Sequence, residues 1–294
     1  MPQEKTMPKG TEAQRLSDVK VGTATTTLIH GGSRSGKTYL IGTCGSRMVY
    51  IYFTVGEGID TLKSPGFTKR YPDCNPIVVP IHETNEVKAF DAVRQTIDFM
   101  VDNRRDEFDF IAVDEATAFK RHAMWKGIEI SSVEGRSETL TKTQNRKDLP
   151  QGFFLPVVQD YGAEMGLMEW WTATYTDDAK ESGYHLIVAA HSRYIYEKSG
   201  KKISDAEVLT AIKPGFTGKT FPDDITRYFD NVFYMEKVGG GTNVQYRLRI
   251  HGDEIITAGT RYGGVFLNNR GSEVSSIDDP NFSDMIRQIQ ESKK

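Results

Sequence analysis

A short glycine-containing loop near the start of the chain has the residue types that hold phosphate groups. The stretch HGGSRSGKTYL, His30 to Leu40, contains the pattern G-x-x-x-x-G-K-[ST] from Gly31 to Thr38. Glycines let successive backbone N–H groups point at phosphate oxygens, the lysine neutralises the β and γ phosphates, and the hydroxyl ligates Mg²⁺. The pattern therefore predicts a site for Mg²⁺ and ATP. The predicted contact residues are Gly31, Gly32, Ser33, Arg34, Ser35, Gly36, Lys37, Thr38 and Tyr39.

A carboxylate further along the chain is placed to complete the metal site. The apolar run FDFIAV, Phe108 to Val113, predicts a buried strand, and Asp114 follows it directly. In phosphate-loop proteins the magnesium ion is also anchored by an Asp at the end of a neighbouring buried strand. We therefore expect Asp114 to be the second metal anchor, through a water molecule, beside Thr38.

Hydrolysis also needs a carboxylate that orients or deprotonates the attacking water. Two residues compete for this role. Glu115 directly follows the metal anchor, and Glu57 follows the next predicted strand after the phosphate loop, in YFTVGEGIDTL. The residue types alone leave both alternatives open.

These side chains require strands that end beside one another, and hydrophobic patterning predicts such strands. β-Branched and apolar runs predict strands at Thr25–Ile29, Met48–Phe53, Pro76–Ile81, Phe108–Val113, His185–Ala190, Asn231–Lys237, Tyr246–Ile250 and Glu254–Ala258. Apolar residues at helical spacing predict helices at Lys37–Gly45, Thr84–Val101, Tyr161–Thr176 and Asn281–Glu291. Alternating strands and helices indicate an α/β fold with a mainly parallel central sheet, flanked by helices, and late antiparallel strands.

The composition is that of a globular protein with one main domain. The chain has 294 residues, of which 38% are hydrophobic and 26% charged. We expect a flexible arm over residues 1–20, a core over 21–270 and a C-terminal helix within 271–294. No apolar run is long enough to span a bilayer, and the two cysteines cannot form a disulfide framework, which favours a cytoplasmic location without membrane contact.

Two segments carry a local excess of positive charge, although the whole chain has a net charge of −3. The polar stretch Thr117–Val157 is predicted to be a long working loop, and residues 119–148 within it have seven Lys or Arg against four acidic residues. Residues 192–219, predicted as a second loop, have six against three. Because any polyanion site must be local in such a protein, these loops are the candidate nucleic-acid surfaces.

Several motifs follow one another in a fixed order. They are GGSRSGKT, VYIYFTVGEGIDTL, IAVDEAT, DYGAEMGLMEWW, IVAAHSR, IKPGFTGKTFPDDITRYFDNVFYME and AGTRYGG. From about Thr25 to about Asn268, this order resembles the RecA-like phosphate-loop ATPases of bacteriophages, a group that includes AAA-type nucleotide-binding proteins and single-strand-annealing recombinases. The resemblance implies a RecA-like fold and a homo-oligomeric ATPase in the host cytoplasm. It also implies that ATP hydrolysis is coupled to single-stranded DNA binding in phage recombination or replication.

The same resemblance assigns roles to further residues. In RecA-like proteins, the acid after the strand that follows the phosphate-loop helix is the catalytic base, which corresponds to Glu57. The polar residue that ends the strand after the metal strand senses the γ phosphate, which corresponds to His191, and a late cation that reaches a neighbour's γ phosphate corresponds to Arg261. The family's DNA-binding loops follow the metal strand and the sensor strand, where the two basic segments lie. Ring-forming ATPases instead keep their base at the position of Glu115.

Two other functions compatible with the motifs are a nucleotide-dependent switch or adaptor that docks a protein partner with little hydrolysis, and a subunit of a DNA-packaging or helicase-type motor.

Overall fold

The structure is a computed structural model that describes residues 22–54, 58–82, 86–133, 156–198, 207–240 and 244–293. Its strands are β1 (Thr26–Gly31), β2 (Met48–Phe53), β3 (Ile77–Ile81), β4 (Phe110–Asp114), β5 (His185–Lys198), β6 (Glu207–Pro214), β7 (Asn231–Val238), β8 (Gln245–Arg249), β9 (Gly259–Thr260) and β10 (Ser276–Asp278). Its α-helices are α1 (Lys37–Gly42), α2 (Ile59–Lys63), α3 (Pro65–Arg70), α4 (Glu86–Arg104), α5 (Ala116–Val133), α6 (Val158–Ser182), α7 (Phe221–Asp224) and α8 (Phe282–Ser292). The predicted N-terminal arm, residues 1–20, lies outside the described residues.

The described strands form one sheet, and its main path runs in the order β10-β8-β7-β1-β5-β4-β2-β3. The strands from β7 to β3 on this path are parallel. Strands β8 and β10 are added antiparallel at one end. This confirms the predicted α/β fold with a mainly parallel sheet and late antiparallel strands, and it places the proline-containing β3 at an edge. Because β5 lies between β1 and β4, the carboxyl ends of these three strands are neighbours.

Helices cover both faces of the sheet, which explains why the central strands are almost continuously apolar. On one face α4, α5 and α6 pack together, with Phe119 at the centre of an aromatic cluster. Its ring centroid lies 5.1 Å from that of Phe90 and 4.9 Å from that of Trp171. On the other face, side chains such as Leu40 and Met285 form a second core beneath α1 and α8. Within the described residues, no helix is long and apolar enough to cross a membrane.

The first basic segment begins as a helix, so the prediction of a loop from Thr117 is wrong for its first part. Helix α5 contains 18 residues, and its Ala116, Phe119 and Ala123 are fully buried. Its helical periodicity is weak in the sequence because small alanines occupy buried positions and the lysines Lys120 and Lys126 lie in the same stretch. Those lysines have partners, since Lys120 donates to the Gly215 carbonyl at 2.7 Å. Residues 134–155 of the segment lie outside the described residues.

The second basic segment is largely a β-hairpin and not a loop. Strand β5 continues beyond its predicted end at Ala190 and pairs antiparallel with β6, from Ser192 opposite Pro214 to Lys198 opposite Glu207. The aromatic and β-branched residues of RYIY favour a strand, so the sequence contained evidence for this strand although the segment is basic. Residues 199–206 between the two strands lie outside the described residues.

The end of the chain differs from the prediction in two places. Residues 254–258 are not a strand: the Asp253 carboxylate accepts the N–H groups of Ile255 and Ile256 at 2.9 and 2.8 Å, which forms a turn. Residues 271–294 contain strand β10 as well as the predicted helix α8, whose N-cap is Asn281.

Candidate functional site

The predicted phosphate loop connects β1 to α1 and requires glycine at defined positions. At Gly31, an added Cβ would lie 2.2 Å from the Met235 carbonyl oxygen. Gly36 has φ of 97°, in the left-handed region that favours glycine. Within the loop, the Ser35 hydroxyl is buried and has no hydrogen-bond partner. The loop therefore has glycines where its backbone requires them and a buried polar group that a ligand could satisfy.

Lys37 is the buried cation of this loop. Its side chain is 6% exposed, and its ammonium donates hydrogen bonds to the carbonyls of Gly31 at 3.1 Å and Gly32 at 3.0 Å. Burial lowers the pKa of Lys37, and the nearby carboxylates of Glu115 and Asp114 oppose this shift. The ammonium is thus held at the loop by neutral acceptors, where anionic phosphate oxygens would be stronger ones.

Asp114 meets the loop from the end of β4, as the sequence predicts. The Thr38 hydroxyl donates to its Oδ2 at 2.6 Å, and the Tyr50 hydroxyl donates to the same oxygen at 2.7 Å. Burial raises the pKa of Asp114, while the hydrogen bonds from Thr38 and Tyr50 oppose the shift. Gly58 packs against this group, since an added Cβ there would lie 2.8 Å from Oδ2.

The donor chemistry at Thr38 and Asp114 fits Mg²⁺. Mg²⁺ is commonly held by one or two protein oxygens together with phosphate oxygens and water. Among the described residues, no group of three or more His, Cys, Asp or Glu side chains could hold a metal ion alone. A hydroxyl and one carboxylate beside a phosphate cradle are therefore suited to a metal that arrives with the nucleotide.

Glu115 and His191 are brought together at the same edge of the sheet. Glu115 Oε2 lies 2.6 Å from His191 Nε2, and the backbone N–H of His191 donates to the Thr117 hydroxyl at 2.9 Å. His191 is also the β5 residue in register with Gly31 of β1. The predicted sensor is therefore placed beside both the phosphate loop and one candidate base.

The phosphate loop and the two acids share a cavity of about 850 Å³. This volume is within the usual range for small-molecule sites, and its position at the carboxyl ends of parallel strands is where α/β sheets bind ligands. It is lined by Ser33, Arg34, Ser35, Gly36, Lys37, Thr38, Tyr39, Phe53, Gly58, Thr61, Asp114, Glu115, Thr117, Ala118, His191, Lys237 and Tyr246. Sequence reasoning missed Tyr50, Lys237 and Tyr246, since only strand pairing brings them to the loop.

Gly31 and Gly32, at the start of the loop, and Arg261 are predicted site residues that do not line this cavity. Glu57 is outside the described residues, although its neighbour Gly58 lines the cavity. Arg261 lies at the opposite, amino-terminal edge of the sheet, where its guanidinium contacts Asp230 Oδ1 at 3.4 Å and the Arg227 carbonyl. Arg261 therefore does not reach the cavity of its own chain, and its contact with a neighbouring subunit stays a prediction.

No family model and no curated protein match the chain. Among solved structures, the crystal structure of the RadB recombinase is similar, with a TM-score of 0.36 and 12% sequence identity, over 78% of this chain and 80% of that chain. A similarity this low does not determine an activity, so function has to be inferred from the site itself.

Proposed function

We propose that the chain is a Mg²⁺-dependent ATPase of the RecA-like phosphate-loop class, which couples hydrolysis to single-stranded DNA binding in phage recombination or replication. One observation carries this proposal: Lys37, Thr38 and Asp114 converge on a cavity at the carboxyl edge of a parallel sheet.

The phosphate loop binds the triphosphate chain. Lys37 exchanges the carbonyls of Gly31 and Gly32 for phosphate oxygens, which form stronger, charge-assisted hydrogen bonds. Thr38 and Asp114 would hold Mg²⁺, which neutralises charge that develops on the phosphates. The Tyr50 hydroxyl holds the Asp114 carboxylate in position, because it donates to the same oxygen as Thr38.

We assign the activation of water to Glu57 and the sensing of the nucleotide to the pair of Glu115 and His191. The carboxylate of Glu115 is engaged by the His191 ring, whereas Glu57 precedes Gly58, at which an added Cβ would lie 2.8 Å from Asp114 Oδ2. A base must reach the attacking water, and the Glu115 carboxylate would first have to leave His191. This is the reason for preferring Glu57.

The β5–β6 hairpin is the DNA surface in this proposal. Tyr194, Tyr196 and Lys198 alternate along β5 and therefore share one face of the hairpin. The two tyrosine side chains are 41% and 54% exposed. Exposed aromatic rings beside a cation are suited to stacking on unpaired bases. Tyr194 also reaches the phosphate loop, since a Cβ at Gly32 would lie 3.2 Å from its hydroxyl.

Several cations of the two basic segments have partners within the protein, so the local excess of positive charge is weaker support for DNA contact than the sequence indicates. Lys126 is paired with Asp91 at 2.8 Å, and Lys213 with Asp223 at 2.5 Å. Arg193 donates to the Gly218 carbonyl at 2.9 Å. These cations hold the fold together, so the aromatic face of the hairpin carries more of the proposal than the net charge does.

The test is ATP turnover measured with and without single-stranded DNA, together with DNA binding at several salt concentrations. We expect stimulation by DNA and an affinity that falls with salt. Tyr196→Ala should weaken DNA binding by about 5-fold or more, because stacking contributes ~1–3 kcal/mol per base. Tyr161→Ala, which removes an exposed tyrosine outside the hairpin, is the matched control. Absence of both stimulation and salt-sensitive binding would contradict the coupling.

A nucleotide-dependent switch is the second candidate, and it is favoured by the contact of Glu115, one of the two candidate bases, with His191. In a switch, hydrolysis is slow and the bound nucleotide controls docking of a protein partner. Separate Glu57→Gln and Glu115→Gln variants discriminate between the two functions. If neither variant lowers turnover below that of the wild type, the switch is the better description.

A further inference from the structure

The cavity has an aromatic wall beside Gly36 that the phosphate chemistry does not use. Tyr246 of β8 and Tyr39 of α1 both line the cavity, and their rings are stacked, with centroids 5.9 Å apart and an interplanar angle of 27°. The ring of Tyr246 packs directly against the phosphate loop, since a Cβ at Gly36 would lie 2.6 Å from Cδ1. The wall therefore begins at the backbone of the loop.

Both rings are held in place by the surrounding structure. The backbone N–H of Asp279 donates to the Tyr246 carbonyl at 2.7 Å, and β8 is paired with β7 on one side and β10 on the other. Tyr39 makes edge contacts with Phe67 at 5.2 Å and with Tyr71 at 5.9 Å. A wall that is fixed before the ligand arrives loses little conformational entropy on binding.

The position of the wall identifies the part of the ligand that it faces. In a phosphate loop, the lysine reaches the β and γ phosphates, while backbone N–H groups hold the α and β phosphates. The proposed function places Glu115 and His191 at the γ-phosphate end of the cavity. Tyr39 directly follows Thr38 at the start of α1. The cavity of about 850 Å³ has room beyond a triphosphate chain. What extends from the α phosphate is the nucleoside.

We propose that Tyr246, supported by Tyr39, forms the stacking surface for the base of the bound nucleoside triphosphate. The inference rests on the proposed function, because it names the part of the same ligand that lies beyond the phosphates. Every base has a π face, so a tyrosine wall binds bases by stacking and without requiring one hydrogen-bonding pattern.

The experiment compares two ligands that share the phosphate chain and differ in the base. Binding of a non-hydrolysable ATP analogue and of inorganic tripolyphosphate, each with Mg²⁺, is measured by calorimetry for the wild type, Tyr246→Ala and Tyr246→Phe. We expect Tyr246→Ala to lose about 10-fold in affinity for the analogue and to bind tripolyphosphate as the wild type does. Tyr246→Phe keeps the ring and should retain affinity for both ligands, as should the control Tyr161→Ala. Tyr246→Leu, which keeps apolar bulk without a π face, serves if Tyr246→Ala does not fold.

The outcomes separate this inference from the proposed function. An equal loss of both ligands in Tyr246→Ala would show that the ring shapes the phosphate loop, and no loss of either would show that the base lies elsewhere; both results overturn the inference. Equal affinity of the wild type for tripolyphosphate and the analogue also overturns it but leaves the phosphate site intact. Failure of the wild type to bind either ligand overturns the inference and the nucleotide site together.

Discussion

The side chains of Glu115 and His191 join the end of the metal strand to the start of the hairpin, with Glu115 Oε2 2.6 Å from His191 Nε2. Glu115 directly follows Asp114 of β4, and His191 is the β5 residue after which pairing with β6 begins. The contact therefore connects the metal strand with the start of the hairpin. This contact is one direct link between the cavity and the proposed DNA surface, and the approach of the Tyr194 hydroxyl to Gly32 is another.

His191→Ala should uncouple DNA from hydrolysis. The variant loses the contact with Glu115 and leaves the phosphate loop unchanged, so ATP affinity should stay within about twofold of the wild type. Stimulation of turnover by single-stranded DNA should fall by most of its value. Calorimetry with nucleotide and steady-state turnover with and without DNA measure the two effects. Unchanged stimulation by DNA would show that His191 has only a structural role at the end of the strand and does not couple DNA binding to hydrolysis.

Glu57→Gln and Glu115→Gln should affect turnover differently. Loss of a general base lowers the rate by about 10²–10⁴-fold, and we expect this from Glu57→Gln. Glu115→Gln keeps a hydrogen-bonding side chain next to His191 and should lower the basal rate much less, while it reduces stimulation by DNA. Single-turnover hydrolysis with saturating ATP separates the chemical step from binding. The reverse pattern would assign the base to Glu115.

Lys37→Ala should weaken the binding of both ATP and tripolyphosphate by about 100-fold or more, since hydrogen bonds to charged groups contribute ~1.5–3 kcal/mol each. The fold should remain, which circular dichroism and thermal unfolding can verify. Lys219→Ala, which removes an exposed cation outside the cavity, is the control. Retained ATP affinity in Lys37→Ala would exclude this loop as the phosphate site.

Thr38→Ala should raise the Mg²⁺ concentration needed for half-maximal turnover by about tenfold or more, because changes around a metal site commonly cost ~10–100-fold in metal affinity. Thr38→Ser keeps the hydroxyl that donates to Asp114 and should behave as the wild type. A Mg²⁺ titration of the initial rate measures the effect. The same Mg²⁺ requirement in all three proteins would place the metal away from Thr38.

Stability should fall between about pH 6.5 and 4 in part because of His185, since burial lowers the pKa of His185 from 6.5 to about 4. The Thr25 N–H donates to Nδ1 at 3.0 Å, so this nitrogen is unprotonated in the folded protein. In this pH window the unfolded chain binds more protons at His185 than the folded chain does. The free energy of unfolding therefore falls as the pH falls through the window, and His185 accounts for at most ~3 kcal/mol of this loss.

Urea unfolding from about pH 7 to about pH 4 measures this slope. His185→Gln should flatten it, because the variant lacks the buried imidazole. An unaltered slope in His185→Gln would assign the acid sensitivity to other groups.

The sequence by itself determined the parts of this protein that depend on local patterns. Three features were predictable from the sequence: the motif from Gly31 to Thr38, the strand that ends at Asp114, and the alternation of strands and helices. They were predictable because backbone geometry and burial require particular residue types at short range. The contact of Thr38 with Asp114 followed from the rule that parallel strands end at one edge of the sheet.

Tertiary structure decided what depends on partners that are distant in the chain. The sequence did not predict helix α5, because its burial comes from contacts with α4 and α6 and not from a strong apolar stripe of its own. The sequence did not predict the β5–β6 hairpin, because charged residues dominate the composition of that segment. Only strand pairing brings Tyr246 against Gly36, and only the sheet order places Arg261 at the edge opposite the loop. Such contacts arise from packing between separate elements, and a linear pattern does not specify them.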